Sequence, residues 1–177
     1  MKNKDLGNTS KHYGYVKKKP VSKTKPTSKT TASKPEKTVS EISKNTSANV
    51  QKVLKTAKSY IGTPYKYAGN TKSGIDCSGL TCAAYRSINV NLPRIAYDQD
   101  DVGKSVSIDR LQAGDLIFFG AKKGSKSITH VGMVVQVKSK AEIIFIHASS
   151  SRGVREDNLL STYYRPLFIK ASRPLAE

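Results

Sequence analysis

Long apolar runs are missing from this chain. No stretch approaches the ~20 consecutive apolar residues that a membrane-crossing helix needs, so no span is expected. Nor does an apolar segment follow Met1, so no secretory signal is visible. Two readings stay open: a cytosolic protein, or a chain beginning after a removed leader. The abrupt polar start favours the second, since a lipoprotein often has such a spacer after its anchor.

Arginine is absent from residues 1–50, and acids are scarce there. That segment holds twelve lysines against Asp5, Glu36 and Glu41, a net +9, while the other 127 residues reach +9 from 19 basic and 10 acidic side chains. Large apolar residues are also few, and Lys, Ser, Thr and Pro recur, as over 23–30. Such a composition cannot bury enough surface to offset chain entropy, so residues 1–47 are expected to form a disordered, self-repelling tether. Without arginine, and with only Tyr13 and Tyr15 as aromatics, the tether suits generic attraction to anionic surfaces such as wall polymers or lipid headgroups. Specific nucleic-acid readout is not expected from it. A merely solubilising linker is the plainer alternative.

What remains, residues 48–177, is enough for one domain. Val50, Val53, Leu54, Ala57 and Ile61 recur at helical spacing, so the pattern predicts a helix from a Ser47 or Asn49 cap to about Tyr60, stopped by Gly62-Thr63-Pro64. Asp76 is a candidate N-cap for a second helix bearing Leu80, Ala83, Ala84 and Ile88, which ends near Asn89. The period then changes. Strands are expected over 115–120, 129–137, 142–147, 153–156 and 163–171, after a polar linker. Helices first and strands at hairpin spacing afterwards predict an α+β fold with a roughly five-stranded antiparallel sheet.

Cysteine and histidine are rare as well. There are two cysteines and three histidines, and His12 falls in the tether. Cys77 follows the Asp76 cap, where unpaired backbone N–H groups and the helix dipole favour a thiolate. Gly74 and Gly79 are read as leaving room for a substrate. A small buried cysteine is the competing reading of Cys77. Cys82, five positions on, faces elsewhere and reads as a core thiol.

His130 and His147 lie on consecutive strands, and register decides whether they meet. A two-residue loop at Lys138-Ser139 sets His130 opposite His147. A four-residue loop sets it opposite Ser149, with His147 diagonal on the same face. An odd loop without a bulge would separate them. A thiol nucleophile needs one histidine to move its proton and a second polar group to fix that ring. His130 is therefore the expected base and His147 its orienter, with Gly132 keeping the face open. A metal site is the rival, but tight ligand spacing such as Cys-x-x-Cys is missing; no metal or other cofactor is expected.

Six segments in order carry a family resemblance: residues 62–69 (Gly-Thr-Pro-Tyr-Lys-Tyr-Ala-Gly), 74–80 (Gly-Ile-Asp-Cys-Ser-Gly-Leu), Leu92-Pro93-Arg94 with Gln99, 111–119 (Leu-Gln-Ala-Gly-Asp-Leu-Ile-Phe-Phe), 129–134 (Thr-His-Val-Gly-Met-Val) and 146–149 (Ile-His-Ala-Ser). Residues 49–172 thus resemble the NlpC/P60 family of papain-like cysteine peptidases of bacterial cell walls. The resemblance implies catalytic roles for Cys77, His130 and His147, and an oxyanion contact from Tyr65, whose alternative is a packing aromatic. It implies that Asp76 and Ser78 receive the amino terminus of a stem peptide, with Arg94 a candidate for a substrate carboxylate. The implied activity is cleavage of peptidoglycan or its muropeptides at the D-glutamyl–diamino acid bond, by a monomer in the bacterial envelope, periplasmic or extracellular, with a lipid anchor one option. Thiol-dependent amidase or acyltransferase chemistry, and a non-catalytic wall-binding module, are the alternatives.

Overall fold

The computed structural model describes residues 39–175, with side chains from residue 47 onward. Of the disordered tether expected over residues 1–47, residues 1–38 lie outside the described residues, whereas 39–47 are helical and not a tether. Helix α1 spans Val39–Lys58 and so starts eight residues before the expected Ser47 cap. Between Pro35 and Gly62 there is neither proline nor glycine, so nothing local halts the helix earlier. Val53 and Ala57 bury completely, as their spacing required.

A short hairpin, β1 (Asn70–Thr71) and β2 (Gly74–Ile75), leads into α2 (Cys77–Arg86). One turn of helix, α3 (Ala96–Gln99), follows. The strands are β3 (Lys104–Val106), β4 (Leu116–Gly120), β5 (Ile128–Ser139), β6 (Glu142–Ser149), β7 (Gly153–Asn158) and β8 (Phe168–Arg173). They form one sheet of six strands in the order β3-β8-β4-β5-β6-β7, antiparallel at every pairing.

Two strand expectations are corrected. The sheet has a sixth strand, β3, inside the presumed polar linker; as an edge strand it pairs only with β8 and carries exposed Lys104 and Ser105. Its apolar pattern was therefore too weak to show. The last strand begins at Phe168 rather than residue 163, because a 3₁₀ turn containing Pro166 occupies Arg165–Leu167 and proline has no N–H for the ladder.

Strand β4 is buried on both faces. Leu116 and Phe118 join the core against α1 and α2, with Val53, Leu80 and Tyr85; Ile117 and Phe119 join the opposite core, with Phe145 and Leu159. Each such apolar side chain contributes about 1.5–3 kcal/mol by leaving water. This two-sided burial makes β4 the sheet's fixed reference, against which β5 places His130 opposite Phe119.

Candidate active site

Asp76 builds the position of Cys77, the candidate nucleophile. It is extended (φ −98°, ψ 178°), and its Oδ1 accepts the Gly79 N–H at 2.7 Å. That cap makes Cys77 the first residue of α2, as its sequence implied. Gly79 is present for packing rather than for substrate: a Cβ there would collide with the Gly69 carbonyl, and one on Gly74 would press into Lys66.

Cys77 is 8% exposed. Burial pushes its thiol above the ordinary value, against the backbone N–H groups of Val131, Ser78 and Cys77 itself, which favour the thiolate. Desolvation thus outweighs the helix-start effect expected from the sequence, and the resting group is a neutral thiol. The Val131 N–H beside the sulfur also locates the next group, since His130 directly precedes it.

His130 and His147 meet: Nε2 of His130 lies 2.8 Å from Nδ1 of His147, with the rings edge to face. On its other side His147 Nε2 lies 2.9 Å from Asp157 Oδ2. The Tyr164 hydroxyl donates to the same oxygen at 3.1 Å, and Arg155 Nη2 donates to Asp157 Oδ1 at 2.7 Å. His147 is 2% exposed and stacks on Phe145 at 4.8 Å.

These contacts fix the protons. Asp157 is held below the usual carboxylate range: burial raises it, but the bonds from His147 and Tyr164 and the Arg155 charge prevail. An ionised carboxylate only accepts, so His147 carries its proton on Nε2. Burial keeps His147 neutral despite Asp157. Its Nδ1 therefore accepts, and His130 donates from Nε2. His130 is held down to about 3 by burial and then by His147, so it too is neutral. The lone pair on His130 Nδ1 is left over. Asp157, two hydrogen bonds away, thereby sets the tautomer of His130.

Sequence reasoning missed Asp157 and Tyr164. β7 reads as a polar segment, yet His147 pairs with Arg155, and Asp157 shares that face two positions on. The alternation Arg155-x-Asp157 beside a histidine strand was the available signal. Gly132 also needs correction. A Cβ there would lie 2.7 Å from Phe145 Cδ2, so this glycine admits the ring beneath His147 and does not open the face.

Tyr65 bridges to Ile75, two residues before Cys77, and lines a cavity of about 280 Å³ with His130, His147, Tyr163 and Tyr164. Its hydroxyl is raised by burial and then by the charge Cys77 would carry. The three substrate-binding candidates come together, but on one another. Arg94 Nη1 lies 2.9 Å from both Asp76 Oδ1 and Ser78 Oγ, and Nη2 lies 2.8 Å from Asp76 Oδ2. Buried Gln99 holds this segment by donating to the Pro93 carbonyl at 2.7 Å. Cys82 packs as a core thiol near the Pro93 carbonyl.

A sequence profile described as the NlpC/P60 family matches residues 62–173. The chain is 37% identical over 117 residues to the probable endopeptidase NlpC of Escherichia coli strain K12, covering 66% of this chain and 72% of that protein. It is 36% identical over 116 residues to the murein DD-endopeptidase MepS/murein LD-carboxypeptidase of that strain, covering 65% of this chain and 57% of that one. A crystal structure of an NlpC/P60 family protein from Bacillus cereus superposes with a TM-score of 0.64 at 33% identity, over 72% of this chain and 40% of the other. The chain thus spans little more than half, or less, of two of these three proteins. Profile, relatives and fold agree with the ordered motifs: this chain belongs to the NlpC/P60 family of cysteine peptidases.

Proposed function

We propose that the protein is a cysteine endopeptidase that hydrolyses an amide bond in the stem peptides of peptidoglycan. The observation that carries this reading is the bonded chain Asp157–His147–His130, which leaves the His130 Nδ1 lone pair free on the residue next to the Cys77 sulfur's backbone partner.

In the proposed first step His130 Nδ1 takes the thiol proton while Sγ attacks the substrate carbonyl carbon. The oxyanion receives the Cys77 N–H and the Tyr65 hydroxyl. Collapse breaks the C–N bond, and His130 returns the proton to the departing amine. Water, deprotonated by His130, then hydrolyses the thioester and restores the thiol. While the tetrahedral intermediate stands, the imidazolium charge on His130 is balanced by the oxyanion, so the site as a whole gains no net charge.

The bond proposed is that between D-glutamate and the diamino acid. MepS, by its name, cuts a DD-bond, so the fragments must decide. Purified peptidoglycan digested with the protein should release fragments whose masses end at D-glutamate, and Cys77→Ala should release none. Identical fragments from both proteins would remove the hydrolase reading. We further place the action in the cell envelope, by a monomer, with the basic segment ahead of α1 drawing it toward anionic polymers. Deleting residues 1–38 should leave turnover of soluble stem peptides nearly unchanged while weakening retention on whole walls.

A further inference from the structure

A second cavity, of about 480 Å³, adjoins the catalytic one and shares Ser149, Ser150, Tyr163 and Tyr164 with it as walls. Its remaining lining is Ser151, Arg152, Arg155, Asp157 and Ser161. We propose that this cavity is a substrate subsite that takes a free carboxylate of the stem peptide, with Arg152 as its principal cation. The proposal rests on the peptidase reading above and adds to it a determinant of specificity.

Asp157 is the single acidic side chain in the lining, and its two oxygens are already engaged by Arg155, His147 and Tyr164. Donors, by contrast, are in excess. Arg152 is exposed and has no hydrogen-bond or ion-pair partner among the described residues, which leaves five N–H groups on offer. Arg155 gives Nη2 to Asp157, while its buried Nε has no partner. Ser161 Oγ accepts the Tyr164 N–H at 3.2 Å, so its own proton remains free. The wall carries two guanidinium charges against one carboxylate. A site rich in donors, net positive and short of acceptors fits an acceptor-only anion, and a planar carboxylate suits the guanidinium fork. The shared walls put that anion within a residue or so of the reacting amide.

Next to the bond between D-glutamate and the diamino acid, stem peptides offer such a group at two places: the D-glutamyl α-carboxylate and, where the diamino acid is diaminopimelate, the carboxylate on its side chain. The peptides used are amidated at the C-terminus, so that these are the carboxylates compared. Two matched pairs of soluble peptides separate them, each pair differing only in carboxylate against carboxamide at one of these places. Steady-state kinetics on wild type and Arg152→Gln, with Arg152→Lys as the charge-keeping control, provide the test. For one pair, wild type should show a KM about tenfold lower for the acid than for the amide, the size of one charge-assisted hydrogen bond at a partly exposed site. Arg152→Gln should erase that ratio with little change in kcat, and Arg152→Lys should keep part of it. Equal KM values for acid and amide in both pairs, or a ratio untouched by Arg152→Gln, would overturn the subsite while leaving the peptidase reading in place. If wild type cleaved none of the four peptides, the peptidase reading would fail first and the subsite with it.

Discussion

His147 Nδ1 reaches His130 Nε2 at 2.8 Å only because the β5–β6 hairpin changes register twice. The turn falls at residues 140–141, between paired Ser139 and Glu142, and two irregularities then carry the pairing to Val134↔Phe145 and Met133↔Ile146. Continued to the strand end, this register sets His130 against Ser149 with His147 diagonal. A single bulge would have turned one imidazole to the other face of the sheet. Two restore the parity, and both rings stand on the side of Phe145.

Asp157→Asn should lower kcat by about 10²-fold, within the usual worth of general acid–base catalysis, with KM nearly unchanged. An amide can present N–H as well as C=O to His147, so it no longer dictates which nitrogen of either histidine holds the proton. A purely structural role would instead lower the melting temperature and raise KM. Stopped assays on a soluble stem peptide, with a melting curve for each variant, separate the two.

The acid limb of kcat/KM should lie well below the ordinary histidine range. His130 is held down to about 3 and must be neutral to accept the thiol proton, so its working form persists as pH falls through 6 and 5. Rates from pH 4 to 8 on a soluble peptide give the limb directly. A limb centred near 6.5 would mean that the ring is solvated in the working enzyme.

Local chemistry explains which parts of this site were legible in the sequence. Asp76 announces α2 because capping needs only a carboxylate three residues before a free N–H, and Cys77 follows from it. β4 to β6 announce themselves by apolar content. Lys104–Val106 does not, because an edge strand may be polar and still pair on one side. Asp157 stayed hidden for a related reason: its value lies in a cross-strand partner, His147, and partners across a sheet depend on register that composition alone does not give. Tyr164 reaches the same carboxylate from a turn between β7 and β8, whose course the sequence does not show. The bulges in β5 are equally invisible, although the meeting they produce was foreseen.

Stability should fall on acidification from pH 7.5 toward 5. Both His130 and His147 have lowered values in the fold, while in the unfolded chain they titrate near 6.5. Below that value the unfolded chain binds protons that the fold refuses, so the stabilisation present above 6.5 is progressively lost toward the folded values. Asp157, also lowered, extends the loss to more acidic pH. Melting temperatures across this range should decline for wild type and less steeply for His147→Asn, which lacks one of the two rings. A flat profile in wild type would mean that the fold does not hold the two rings neutral.

Gly132→Ala tests whether the ring under His147 is part of the machinery. The new methyl would lie 2.7 Å from Phe145 Cδ2, closer than carbon atoms tolerate, and β5 is held against β4 on its other side. Phe145 must therefore tilt, and His147, stacked on it at 4.8 Å, moves with it. Overpacking of this kind costs about 1–3 kcal/mol, several degrees of melting temperature for a domain of this size. Activity should fall further than stability explains, because a shifted His147 lengthens its bond to His130. The double variant Gly132→Ala/Phe145→Leu separates the two effects. Leucine gives up the ring edge that meets the methyl, so the fold should recover much of its melting temperature. Without the aromatic face beneath His147, kcat should stay low. Full recovery of both would show that Phe145 only fills space and that His130 and Asp157 suffice to hold His147.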